Sequence, residues 1–263
     1  MEWLVPISLF LFGLFIGSFL NVVIWRLPRG ENIVTPRSHC TKCGRMVSFY
    51  DNIPVLSYLL LGGKCRYCRE PISAQYPLVE LLTGTLFAAS WFFTGANFSW
   101  DLLATVIFVG FGIAISGIDL THRIIPDELS VGGLIIGLIL SPLRGGSFMG
   151  FAHGLLGAAI GALLLYLARV GGKFLFKKEA MGWGDVKLIA MIGAFVGFWG
   201  VLLTIFEASV LGAVGGGVAL FFSPKFREDR TIPFGPYLIA AGLITLYFGD
   251  RIMEWYLSLM SPV

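Results

Sequence analysis

The chain has 263 residues, of which 56% are hydrophobic and 13% charged. Soluble domains carry about 25% charged residues, and a core of this length cannot enclose so much apolar surface, so a water-soluble globule is excluded and lipid is the solvent for most of the chain. The net charge of +3 is small, and the basic loops read as setting orientation and meeting anionic lipid rather than as binding nucleic acid.

Residues 3–25 run 23 long without a charge, enough to cross a bilayer at about 1.5 Å per residue. No basic stretch precedes them, which predicts a retained first span rather than a cleavable signal. A polar segment, 26–76, holds all four cysteines. Charge-poor runs then predict a second helix at 77–95, a third at 101–119, a fourth at 127–143 and a fifth at 149–169. The run from Leu188 to Ser223 is broken by Glu207 alone. It is too long for one span and too short for two with an ordinary loop. A short helix at 185–197, a tight turn at 197–200 and a helix at 201–222 resolve it, and a last helix is predicted at 235–249. The predicted fold class is an all-α polytopic membrane protein of about eight transmembrane helices. Its expected parts are helix 1 (1–25), a small cytoplasmic domain (26–76) and a seven-helix membrane domain (77–263).

Lys and Arg placement sets the orientation. With loops numbered alternately, 17 of the 19 cations fall on one side, in 26–76, 120–126, 169–187 and 223–232; the other side holds only Arg144 and Arg251. Both termini are therefore expected outside, with the cysteine segment and the loops at Asp119 and Asp185 in the cytoplasm.

Cys40 and Cys43 form one CxxC knuckle and Cys65 and Cys68 a second. Two such knuckles read as a tetrathiolate zinc site. Disulfides are the other reading, and a cytoplasmic location argues against them. Four thiolates leave no open coordination position, so the metal is expected to be structural. His39 could replace one ligand, but a lone flanking histidine is more commonly a surface residue.

Two acids stand at helix ends. Asp119 closes the third helix and Asp185 opens the sixth, after Gly182-Trp183-Gly184. Singly, each has an ordinary explanation: Asp185 as a carboxylate at a helix N-terminus, Asp119 as a partner of His122 or Arg123. Together they lie at the same depth on the same side. Two carboxylates sharing a proton around a water are what aspartic proteolysis needs. The helix ends suggest Asp185 as the base and Asp119 as the proton carrier. Gly182 and Gly184 suggest backbone freedom and room for an extended peptide.

Other polar residues invite simpler readings. Glu80, near the start of the second helix, could meet a basic leader or a cationic cofactor, or bond to the cytoplasmic domain. Asp127 is expected to cap the fourth helix. Glu207 is expected to pair with Asn21 or a helical backbone group, and His153 to serve in packing.

Gly182-x-Gly184-Asp185 resembles the active-site motif of the GxGD membrane aspartyl proteases, and in particular the type IV prepilin peptidases. Gly17-Ser18-Phe19-Leu20-Asn21, Asp51-Asn52-Ile53-Pro54, Tyr76-Pro77-Leu78-Val79-Glu80, Ile125-Pro126-Asp127 and Ile232-Pro233-Phe234-Gly235-Pro236 resemble further family segments in the same order. The resemblance implies cleavage of the basic leader from type IV prepilins or pseudopilins, after a glycine, at the cytoplasmic face of the bacterial inner membrane. It implies Asp119 and Asp185 as the catalytic pair and Cys40, Cys43, Cys65 and Cys68 as zinc ligands. It also implies methylation of the new N-terminus by S-adenosylmethionine, without assigning residues to that cofactor. Two rival readings are a proton-coupled membrane transporter, which favours carboxylates at midplane and repeated broken helices, and a non-enzymatic zinc-knuckle assembly factor.

Overall fold

The computed structural model describes residues 3–146, 148–177, 181–222 and 233–260. The basic loop 223–232 and part of the stretch before Asp185 lie outside them. The chain divides into two compact units, residues 1–97 and 98–263. Among the described residues, all elements are helical apart from two isolated bridges between extended residues. Among the described residues, four helices are long and apolar enough to cross a membrane: Leu4–Arg29, Trp100–His122, Phe148–Leu175 and Trp183–Val218.

The first unit contains α1 (Leu4–Arg26), a short α2 (Leu56–Leu60) and α3 (Gln75–Phe93). Helices α1 and α3 run antiparallel. Asn21 donates its side-chain amide to the Tyr76 carbonyl at 3.0 Å. One and two turns further along, a Cβ on Gly17 would stand 2.7 Å from the Glu80 Cα, and one on Gly13 2.7 Å from the Gly84 Cα. In lipid there is no hydrophobic force between helices, so small residues that let backbones approach supply the contact.

The second unit contains α4 (Trp100–His122), α5 (Asp127–Arg144), α6 (Phe148–Phe176), α7 (Trp183–Phe222) and α8 (Gly235–Met260). Ser99 caps α4, its hydroxyl accepting the Leu102 N–H at 3.1 Å. From Leu188 to Val196 α7 is apolar on every side, and Leu188, Ile189, Met191 and Ile192 are fully buried. Phe195 meets Phe108 of α4 edge-on, with ring centroids 5.3 Å apart.

Helix α7 breaks at Gly197, whose φ of 73° and ψ of −172° suit glycine alone. A Cβ on Gly161 would touch both Ile189 and Val201. In a continuous helix those residues would be about 18 Å apart, so the chain doubles back at Gly197, as the expected turn at 197–200 requires. The second half of α7 then runs antiparallel to α8, with Gly215 against Tyr237 and Thr204 against Thr245. Arg144 closes this end of the bundle: it bonds Asp101 at 2.7 Å and donates to the Phe195 carbonyl beside the break.

Two helices outrun their expected ends. α6 continues to Phe176 and α8 to Met260, because Arg169, Lys173, Asp250 and Arg251 end an apolar run without ending a helix. Helical hydrogen bonding needs no apolar side chain.

Candidate active site and cysteine cluster

Asp119 lies in the last turn of α4, and Arg123 follows in a left-handed conformation with its N–H on the Asp119 carbonyl at 2.9 Å. The side chain is 5% exposed. Its Oδ2 accepts the backbone N–H of Gly235, the first residue of α8, at 2.9 Å. His122 bonds the Thr121 hydroxyl instead. Asp185 occupies the first turn of α7 and its Oδ2 accepts the Gly182 N–H at 3.1 Å. The two acids are close enough for the charge of Asp119 to act on Asp185. They come from helices 66 positions apart in sequence, and the C-terminal end of α4 and the N-terminal ends of α7 and α8 converge on them.

The convergence is held by contacts on both sides. A Cβ on Gly184 would stand 2.8 Å from the Ile125 Cβ, and one on Gly235 2.7 Å from Oδ2 of Asp119. The Lys187 ammonium bonds both carboxylate oxygens of Asp127, at 2.7 and 2.6 Å. The segment after Asp119 is thereby pinned to the segment around Asp185.

Several expectations change. Gly182 and Gly184 do not adopt positive φ; space, not conformation, demands glycine, and only at Gly184. Asp127 is not a cap: the extended residue before α5 is Pro126, which places Asp127 inside the first turn and turned to Lys187. The helix ends do not separate the roles of the acids. Asp119 faces the negative end of α4 but also the positive end of α8, and each acid holds one backbone N–H. Sequence reasoning missed the Gly235 amide. The signal was Gly235-Pro236, since proline within a first helical turn marks a helix start.

Glu80 is 6% exposed and accepts the Val55 N–H at 2.7 Å. It thus serves the segment between α1 and α3, as the simpler expectation had it. Glu207 accepts from Thr245 at 3.1 Å, Thr245 pairs in turn with Thr204, and Asn21 is engaged with Tyr76. His153 is exposed on α6.

The four cysteine sulfurs lie within 4.8 Å of one another, and Cys40 and Cys68 are 3.8 Å apart. None is in a disulfide. Tetrahedral zinc with Zn–S bonds of about 2.3 Å sets sulfurs about 3.8 Å apart. The two knuckles repeat one plan. Cys40 N–H bonds Arg45 O and Gly44 N–H bonds Cys40 O; Cys65 N–H bonds Glu70 O and Arg69 N–H bonds Cys65 O. Gly44 and Arg69, at matching positions, both have positive φ. The N–H groups of Cys68 and Tyr67 pull the Cys65 thiol down to about 7. The Glu70 N–H favours a thiolate at Cys68, but burial and hydrogen bonds to Cys65, Cys40 and Cys43 push it up to about 12. Such a cluster favours a bound dication, which lets all four sulfurs ionise. His39 bonds the Arg37 carbonyl. Arg66 of the second knuckle holds Asp51 through bonds of 2.8 and 2.5 Å and keeps its carboxyl below the ordinary range.

A family model described as the bacterial peptidase A24 N-terminal domain matches residues 11–94, and one described as the type IV leader peptidase family matches residues 106–217. Curated relatives carry the name prepilin leader peptidase/N-methyltransferase. One from Aeromonas hydrophila is 38% identical, over 98% of this chain and 96% of its own length. One from Xanthomonas campestris is 40% identical, over 93% and 92%. One from Myxococcus xanthus is 42% identical, over 88% of this chain and 69% of its own length. No solved structure matches.

Proposed function

This chain belongs to the type IV leader peptidase family, and we propose that Asp119 and Asp185 are the pair with which it cleaves prepilin leader peptides. The observation that carries the proposal is that these two carboxylates, from separate helices, share one end of the bundle close enough for their charges to interact. In this proposal the two acids share one proton around the attacking water. One takes a proton from a water as it attacks the scissile carbonyl while the other donates to the carbonyl oxygen; the first then passes its proton to the leaving amine, and the second recovers its own as the carbonyl re-forms. Gly235 N–H and Gly182 N–H fix the two side chains from behind. Ile125 against Gly184 and Lys187 against Asp127 hold their separation.

In this reading the chain crosses the bacterial inner membrane about eight times, with both termini outside and the acids at the cytoplasmic face, where the 17 cations gather. Its parts are helix 1 (1–25), the cysteine domain (26–76) and the membrane protease domain (77–263). Cys40, Cys43, Cys65 and Cys68 would hold a structural zinc, whose four-sulfur shell leaves no position for a substrate. The new N-terminal amine is methylated, with S-adenosylmethionine as the methyl donor. Prepilins or pseudopilins are the substrates.

The test is a synthetic prepilin peptide incubated with the purified chain in lipid. Wild type is expected to release the leader and, with S-adenosylmethionine present, to add a methyl mass to the product. Asp119→Asn and Asp185→Asn should leave the peptide whole. Cutting by either variant at the wild-type rate would remove that acid from the mechanism and overturn the pair.

A further inference from the structure

The segment between the two cysteine knuckles contains twelve consecutive uncharged residues, 52–63, in an otherwise basic stretch. They include α2, whose Leu56, Leu59 and Leu60 are 48%, 68% and 77% exposed. Three such leucines on one five-residue helix are costly in water. The hydrogen bonds of this region fix its depth. Val55, immediately before α2, donates its N–H to Glu80, whose backbone packs against Gly17, next to Ser18 on α1. Ser18 lies eight residues before Arg26, about 12 Å along the axis of α1 from its end. The start of α2 is therefore held beside the interior of the α1–α3 pair and not beyond its end. Val55 itself has φ 61° and ψ −51°, a conformation a β-branched residue avoids; the bond to buried Glu80 is what holds it there. Phe15 and Phe19 of α1, which bracket Ser18, are also exposed.

We propose that α2 dips into the bilayer, with Leu56, Leu59 and Leu60 among the acyl chains. Acyl chains are the fitting occupant because α1 belongs to a membrane-crossing segment, Leu4–Arg29, and its exposed Phe15 and Phe19 meet lipid at the depth to which Glu80 ties α2. Gly62 and Gly63, both at positive φ, then turn the chain, and Lys64 brings charge back at the headgroups just before Cys65. The second knuckle is thereby anchored to the membrane surface.

The inference rests on α1 crossing the membrane and is independent of proteolysis. It is tested with the unaltered full-length protein in phosphatidylethanolamine–phosphatidylglycerol vesicles containing a phospholipid with a diazirine in its acyl chain. After illumination, lipid adducts are mapped by peptide mass spectrometry, with lipid-facing Leu11 and Phe15 as the internal standard. Adducts on 56–60 at a yield comparable to 11–15, with none at Met46, are expected. Adducts on 11–15 without any on 56–60 would overturn the proposal. So would labelling of 56–60 by a water-soluble diazirine to the extent seen at Met46.

Discussion

Three glycines around the acids differ in what they can tolerate. Gly184 has the Ile125 side chain where a Cβ would go, and Gly235 has the Asp119 carboxylate there. At Gly182 a Cβ would find ordinary van der Waals space, with Oδ2 of Asp185 at 3.4 Å. Gly184→Ala and Gly235→Ala should therefore lower kcat by about tenfold or more, since misplacing a reacting group by about 1 Å costs up to 10²-fold. Gly182→Ala should stay within a few-fold of wild type. Prepilin peptide cleavage by the three variants checks the ranking; equal losses at 182 and 184 would contradict it. The pattern Gly-x-Gly-Asp was visible in the sequence, but the unequal demands on its glycines were not. They arise from Ile125, which only the folded chain brings to Gly184.

The cysteine knuckles are elements whose geometry was legible beforehand. CxxC spacing dictates a tight turn with both sulfurs on one side, and two such turns close a tetrahedron. Cys40→Ser with Cys43→Ser should remove one zinc per chain, measured by metal analysis of the purified protein. Unchanged metal content would reject the site. The long helices were equally legible, and so was the reversal at Gly197, but the short α2 was not. Helix length was not, since charged residues mark where a helix leaves lipid and not where its backbone hydrogen bonds stop. Lys187–Asp127 and Thr245–Glu207 were also hidden, because each partner comes from a helix far away in sequence.

At the scale of the molecule, the second unit gathers its two acids at one end. Within the second unit, the ends of α4, α7 and α8 that carry Asp119, Asp185 and Gly235 lie together. The opposite end is closed by Arg144, Asp101 and the break at Gly197. The carboxylates thus reach the same end from a descending and an ascending helix, and α7 places Asp185 at the start of the most deeply buried segment of the chain. In the proposed mechanism the two acids work as one group, and groups that work as one show strongly non-additive losses. The most direct measurement is cleavage of a prepilin peptide by Asp119→Asn, Asp185→Asn and the double variant. Each single change should cost roughly 10²–10⁴-fold, the range for general acid–base groups, and the double variant should be no slower than the slower single. Losses that multiply, or a single variant that keeps wild-type activity, would contradict a shared-proton pair.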